Sequence, residues 1–299
     1  FGSSCSMRKD CMRARMWLLQ CLLLSGALVL GQGFHDAWSL FRQKEEDLCI
    51  AEIEAPATRS GFELARRHTV DDVLHRYWDR GSGFTITKAE EEQINGISHP
   101  GERAKSGQKP STYGEVTPIG VRQLARALGI DALSAEDCLA NSTGANQVVF
   151  LDLGSGVGKV VVQAYLEWPC VVNSTGIELS TSRARFAQEA WKAAAASEQA
   201  GTLLAPRDST GVILLEGDLL EADVSKATHI YLASLCFGNE MLQRIAAKLA
   251  KEATHLRALA MLRRFPGGLE GFQETGHVYA KMSWSGSTVH IYKRRNLAE

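Results

Sequence analysis

Val148-Val149-Phe150-Leu151-Asp152-Leu153-Gly154-Ser155-Gly156-Val157-Gly158, with Glu178 twenty residues past the last glycine, is the stretch on which the reading of this chain turns. An apolar run of strand character leads into a Gly-x-Gly-x-Gly turn. An apolar stretch of helical type, Val160 to Leu166, follows without a gap. This is the order of a βα unit whose turn lets a ligand approach the backbone, because glycine has no Cβ to bar the way. Glu178 closes a second apolar run, Val171 to Leu179, where a carboxylate can accept both hydroxyls of a ribose. The expectation is an adenosine-type cofactor.

Three kinds of nucleotide site use such a turn. A phosphate loop needs Gly-x4-Gly-Lys followed by Ser or Thr. Here Gly154-x3-Gly158-Lys159-Val160 is one residue short and lacks the hydroxyl for magnesium. A dinucleotide site needs a third glycine three places after the second, and that place is Lys159. S-adenosylmethionine fits better. It has no pyrophosphate, and its amino-acid end asks for a carboxylate and backbone carbonyls around an ammonium. Asp152, Gly154, Ser155, Gly156 and Gly158 are therefore candidate cofactor residues, with Glu178 on the ribose. Asp218-Leu219, after the third strand, are placed to face the adenine.

The elements around this unit alternate. A helix is read over Gly120 to Leu128, a polar loop over Ser134 to Gln147, and a long Ala-rich helix over Ser182 to Ala200. Strand Val212 to Leu215, strand His229 to Leu235, helix Asn239 to Ala253 and strand Ala258 to Leu262 follow. His277 to Ser283 and Thr288 to Lys293, joined at Trp284-Ser285-Gly286-Ser287, read as a hairpin. The fold class is α/β: a mostly parallel, Rossmann-like sheet of seven strands with a C-terminal antiparallel hairpin, the layout of class I methyltransferases.

Three segments are expected. Residues 1–33 hold a basic flank (Arg8, Lys9, Arg13, Arg15) and an apolar run from Met16 to Leu30. That is the layout of a signal peptide or anchor and implies possible membrane association through residues 16–30. Residues 34–110 read as a helical lead-in, with helical spacing over Phe34 to Ile53 and Thr69 to Trp78, and a flexible connector over Ser98 to Pro110. Residues 111–299 form the methyltransferase domain. The chain opens on Phe1 rather than Met, so a start upstream is expected.

With 45% apolar and 22% charged residues, the chain can bury a full core. The net charge of −1 supplies no overall basic field for nucleic acid. Seven cysteines without a CxxC pair argue against a disulfide framework or a zinc site, and the histidines show no metal spacing. Cys236 reads as a small core residue and His229 as a structural one. The glycosylation triplets at Asn141 and Asn173 are weak signals, and Asn173 lies too near a strand for a glycan.

Asp152-Leu153-Gly154-Ser155-Gly156-Val157-Gly158, followed by Val161-Val162-Gln163-Ala164, resembles the disruptor-of-telomeric-silencing family, histone-lysine methyltransferases with a class I fold. Tyr113-Gly114-Glu115-Val116-Thr117, 39 residues before Asp152, resembles that family's loop over the methionine end of the cofactor. Leu232 to Gly238 falls at its motif after the fourth strand, and Val278 to Tyr292 at the hairpin that walls a lysine channel. The resemblance spans roughly 110 to 295. It implies Tyr113 and Glu115 at the cofactor, a protein substrate such as a histone or nucleosome, and a nuclear location; the leader implies instead a secretory, membrane or organelle route.

Transfer from a sulfonium needs mainly a positioned, uncharged amine for in-line displacement. An apolar, aromatic channel lowers a lysine pKa, and ring faces hold the cation beforehand. Phe237, Trp284 and Tyr292 are the candidate wall, with Tyr113 closing over the cofactor. Three positions depart from the family: Ala233 stands where an asparagine is expected, Ile291 where a channel tyrosine is expected, and Leu219 where an aromatic is expected. The family's lysine-rich segment is matched only by Lys293-Arg294-Arg295 and the leader's arginines. Two alternatives stand beside histone methylation: a class I methyltransferase of another protein or a small molecule, and an inactive cofactor-binding interaction module.

Overall fold

Strands buried on both faces are written as near-continuous branched apolar runs, and β1, Val148–Leu153, is such a run. The computed structural model describes residues 61–78, 83–98, 111–133, 138 and 146–295. The leader, the helical spacing over Phe34 to Ile53, most of the connector and the Asn141 triplet lie outside these. Before β1 come α1 (Gly61–Tyr77), α2 (Lys88–Ser98) and α3 (Pro118–Leu128). After it come α4 (Lys159–Glu167), β2 (Val171–Glu178), α5 (Thr181–Ala195), α6 (Glu198–Leu204) and β3 (Val212–Glu216). The chain then runs through β4 (His229–Leu232), α7 (Asn239–Glu252), β5 (Ala258–Met261), β6 (Phe272–Lys281) and β7 (Gly286–Arg294).

The seven strands lie in the order β3-β2-β1-β4-β5-β7-β6. β1 is parallel to both β2 and β4, and β7 runs opposite to the other six strands, pairing antiparallel with β5 and β6. The chain thus reverses its direction of travel across the sheet at β1, which opens a crevice at the carboxyl ends of β1 and β4. The period-2 alternation of the strands divides the core in two. Val148 and Phe150 face a cluster under α3, α4 and α5, while Leu151 and Leu153 face one under α7. Asp152 shares the face of Phe150.

Several boundaries differ from the sequence expectation for local reasons. α3 starts at Pro118 because Thr117 caps it, Gly120 N donating to Thr117 Oγ1 at 3.1 Å, with proline in the first turn. The Ala-rich helix breaks in two at Ala196 and Ser197, where Ser197 Oγ accepts from Ala200 N and starts α6. β4 stops at Leu232, and Ser234–Cys236 form a 3-10 turn. β6 begins at Phe272, ahead of the expected His277, because an irregularity between Glu274 and Gly276 interrupts the apolar pattern without ending the pairing.

The cysteine count argues against a disulfide framework. Cys138 and Cys170 nevertheless form a disulfide, with Cα atoms 5.1 Å apart. The 32-residue separation carries no signal in sequence. Cys236 is buried, as expected of a core residue.

A charged network buried between α1, α3 and α4 is the main packing feature that periodicity does not announce. Arg122 donates to Glu167 (Nε–Oε1 2.8 Å) and to Asp71 (Nη2–Oδ1 2.7 Å). Arg67 pairs with Glu167 at 3.1 Å and with Asp131 at 3.0 Å, and Trp168 Nε1 donates to Asp131. Gln163 Nε2 donates to Glu167 Oε2 and to the Pro118 carbonyl. Burial alone would lower the Arg122 pKa, but Glu167 and Asp71 outweigh it and hold the guanidinium above its ordinary value.

His229 is buried beside Thr228, whose hydroxyl lies 2.9 Å from Nδ1. Burial, and then Arg257 and Lys293, lower its pKa to about 4. A histidine depressed in the fold leaves stability intact above its unfolded value near 6.5; protonation then favours the unfolded chain as pH falls towards 4. Wild type relative to His229→Gln should therefore lose stability over that interval, by roughly 3 kcal/mol at most. Taking the difference between the two proteins removes the contribution of other titrating groups. A pH-independent difference in denaturant midpoints would contradict this.

Candidate active site

The turn after β1 is folded back onto β2: Gly154 N and Ser155 N both donate to the Ile177 carbonyl, at 2.9 and 3.0 Å. Gly154 and Gly156 reach this path with φ of 90° and 55°, a region that side chains disfavour. A Cβ on Gly156 would also stand 2.7 Å from the Tyr113 ring, so the turn must pass bare beneath that tyrosine.

Glu178 ends β2 and anchors the turn. Gly156 N donates to its Oε2 at 2.8 Å and Ser180 N to its Oε1 at 2.9 Å, with Arg183 Nη1 at 3.9 Å from Oε1. A carboxylate offers about four acceptor positions, so two remain for a bound diol. Ser180 in turn caps α5, and its hydroxyl donates to Glu90 of α2 at 2.9 Å. Glu90 also accepts from Ser182 N and Oγ. Burial would raise the Glu90 pKa, but hydrogen bonds from Ser182, Thr87 and Ser180 outweigh it and hold it at about 2. The lead-in helix α2 is thereby fastened to the start of α5, beside Glu178.

Tyr113 covers the turn from the other side. Its hydroxyl donates to Glu115 Oε1 at 2.8 Å, and Lys159 Nζ donates to Glu115 Oε2 at 2.7 Å. The Arg183 guanidinium lies 4.6 Å over its ring and Phe84 packs edge-on against it. Burial, and then the Glu115 charge, push the Tyr113 pKa up. This loop is sewn to the hairpin: Thr117 N donates to the Lys281 carbonyl, Ser283 N to the Glu115 carbonyl, and Glu115 N to Ser283 Oγ. Trp284 lies so close over Gly114 that a Cβ there would collide with its ring.

These elements enclose a cavity of about 280 Å³. Of the residues singled out in the sequence, Tyr113, Glu115, Asp152, Gly154, Ser155 and Gly156 line it. So do Glu178, Asp218, Leu219, Phe237 and Trp284, with Ala233 among them. Trp284 is 48% exposed and stands at the rim, whereas Leu219 is buried.

Two expected site residues do not reach the cavity lining. Gly158 serves packing: a Cβ there would stand 2.8 Å from Leu214 Cδ2, so its bareness lets α4 approach β3. Tyr292 is buried on the far side of the sheet, 5.9 Å from the Phe265 ring centroid, in the cluster under α7. In β7 the alternation that sends Val289 and Ile291 into the cluster under α3 sends Tyr292 away from it. The adjacency of Tyr292 to Ile291 in sequence places them on opposite faces. His229 is buried and bonded as a structural residue, as expected.

The cavity also gathers residues to which the sequence reading gave no site role: Lys159, Arg183, Leu235, Cys236 and Tyr231. Only Tyr231 carried a signal, a hydroxyl inside a four-residue strand buried along its whole length. Asp152 is 1% exposed and its Oδ1 has no hydrogen-bond partner among the described residues; neither has the Tyr231 hydroxyl. Burial, and then Glu178, raise the Asp152 pKa to about 8.

S-adenosylmethionine meets this set of groups. Its ammonium would satisfy Asp152 and its ribose hydroxyls would complete Glu178. Asp218 and Leu219 offer a polar edge and an apolar face beyond them. The strand order and this crevice define a class I S-adenosylmethionine-dependent methyltransferase. Within that class, residues 134–254 match the family model described as "Histone methylation protein DOT1", a stretch that takes in β1 to β4 and ends just past α7. The chain thus carries this family's signature over those residues.

Among solved structures, the chain is similar to an RNA methyltransferase from Salinibacter ruber in complex with S-adenosyl-L-homocysteine. That match has 22% identity and a TM-score of 0.39, covering 61% of this chain and 95% of that one. It is also similar to magnesium protoporphyrin IX methyltransferase from Synechocystis with bound SAM, at 14% identity and a TM-score of 0.38, covering 71% of this chain and 99% of that one. No curated protein matches the chain.

Proposed function

We propose that this methyltransferase acts on a protein lysine, with histones as the first substrate to test. The observation that carries this reading is that the apolar and aromatic side chains of Leu235, Phe237 and Trp284 line the same cavity as Ala233 and the cofactor residues. When bound, the cofactor supplies a sulfonium methyl that needs no further activation. The chain's work is then positional. Glu178 holds the ribose, Asp218 and Leu219 receive the adenine, and Tyr113 roofs the turn on its Glu115–Lys159 pair. The apolar wall strips water from an entering ammonium and lowers its pKa, releasing the lone pair. The ring faces of Phe237 and Trp284 attract the cation before that proton leaves. The family match supports a histone and a nuclear location.

A second reading, a non-histone protein acceptor, is favoured by the basic tail. Arg294 is committed to the carbonyls of Leu256 and Ala253 and stacks over Phe272. Of the three basic residues 293–295, it is thus withdrawn from any DNA contact. Ala233 also offers no side-chain hydrogen bond at the wall. Among the described residues no helix is long and apolar enough to cross a membrane.

Transfer of labelled methyl from S-adenosylmethionine to nucleosomes, free histones and a cell lysate separates the readings. Label on a histone lysine is the expected result. Label only on other lysate proteins selects the second reading. Cofactor binding without label on any of them would leave an interaction module and overturn the proposal.

A further inference from the structure

The wall of the cavity contains one polar group that the adenosine-binding logic leaves unused. Tyr231 is 2% exposed, lines the cavity, and its hydroxyl has no hydrogen-bond partner among the described residues. Its register partner across the β1–β4 pairing is Asp152, whose Oδ1 is likewise unpartnered. Residues in register on parallel strands project to the same face, so the two side chains rise side by side into the crevice. Neither satisfies the other. One is an acceptor when ionised, and the other can donate. A buried polar atom left without a partner costs about 1–3 kcal/mol, so two such atoms opening on one cavity describe a ligand by its complement.

The complement is a group that offers a hydrogen-bond donor with positive charge next to an acceptor with negative charge. An α-amino acid zwitterion has both on one carbon. We infer that Tyr231 is a cofactor-recognising residue: its hydroxyl donates to the carboxylate of the methionyl moiety while Asp152 accepts from the adjacent ammonium. This rests on S-adenosylmethionine being the ligand of the site. The cations that line the cavity are engaged: Lys159 is paired with Glu115, and Arg183 donates to the carbonyls of Gly83 and Ser111. That leaves the Tyr231 hydroxyl as a donor whose capacity is unspent. Burial, and then Asp152, push its pKa up, so it remains a protonated donor at neutral pH.

The test is Tyr231→Phe, which removes one oxygen and keeps the ring that packs in the core. Two probes are titrated calorimetrically: S-adenosylhomocysteine, which has the amino-acid end, and 5′-methylthioadenosine, which lacks it. The expected result is a loss of about 10-fold in affinity for the first, the size of one charge-assisted hydrogen bond, and less than 2-fold for the second. The variant without ligand should melt at or slightly above the wild-type temperature, since an unsatisfied hydroxyl has been removed. Equal affinity of wild type and variant for S-adenosylhomocysteine would overturn the inference, as would equal losses for both probes. Failure of wild type to bind S-adenosylhomocysteine at all is a different result, and it would overturn the assignment of the site itself.

Discussion

Glu178→Ala is expected to reduce the affinity for S-adenosylmethionine by at least about 100-fold. Two effects add. The carboxylate positions left open by the protein are those that a ribose diol fills, and a hydrogen bond to a charged group contributes about 1.5–3 kcal/mol. The same side chain holds Gly156 N and Ser180 N, at 2.8 and 2.9 Å, so its removal strands two amides and releases the glycine turn from the start of α5. Each tenfold in affinity corresponds to about 1.4 kcal/mol, so loss of the diol contacts alone reaches two orders of magnitude. Glu178→Gln keeps one acceptor oxygen and should fall between wild type and alanine. Titration calorimetry with all three proteins decides the matter, with melting curves confirming that each is folded. Unchanged affinity in the alanine variant would remove Glu178 from the cofactor site.

The largest loss of stability is expected from Arg122→Met. Arg122 is nearly inaccessible and joins Glu167 of α4 to Asp71 of α1. Removing one partner of a buried ion pair typically costs about 3–5 kcal/mol, because the remaining charge stays buried without compensation. For a domain of this size that corresponds to a fall in melting temperature of about 6–20 °C. Glu167 keeps Arg67 and Gln163, so the cost should lie towards the lower part of the range. The comparison is Lys88→Ala, which breaks an exposed pair with Glu92 at 3.8 Å and should leave the melting temperature unmoved. A shift of less than 2 °C for Arg122→Met would show that the network contributes nothing to holding the lead-in. Because Trp78, just past α1, donates from Nε1 to the Val157 carbonyl of the glycine turn, weaker cofactor binding should accompany the loss.

What could be read in the chain before folding was mainly what adjacent residues decide. The strand–glycine turn–helix of 148–166 is local, and so are the acid ending β2 and the hairpin at the C-terminus. The first two appear at the expected places, and the hairpin forms around its expected turn although β6 begins five residues earlier than read. The choice of cofactor was legible for the same reason, since glycine spacing determines which ligand groups the backbone can approach. The register-dependent features were not legible. One residue of shift sends a strand side chain to the opposite face, which is why Tyr292 lies in the core under α7 while Ile291 faces the other way. Gly158 belongs to the motif by spacing, yet it serves the packing of α4 on β3, a contact made only when distant strands meet. Glu90 on Ser180 and Ser182, Arg122 on Asp71 and Glu167, and Asp152 beside Tyr231 are likewise products of tertiary structure. Sequence by itself determined the donor end of the site, because backbone shape is encoded locally. Tertiary structure decided which side chains surround it, because charges far apart along the chain become partners only once the sheet has brought them together.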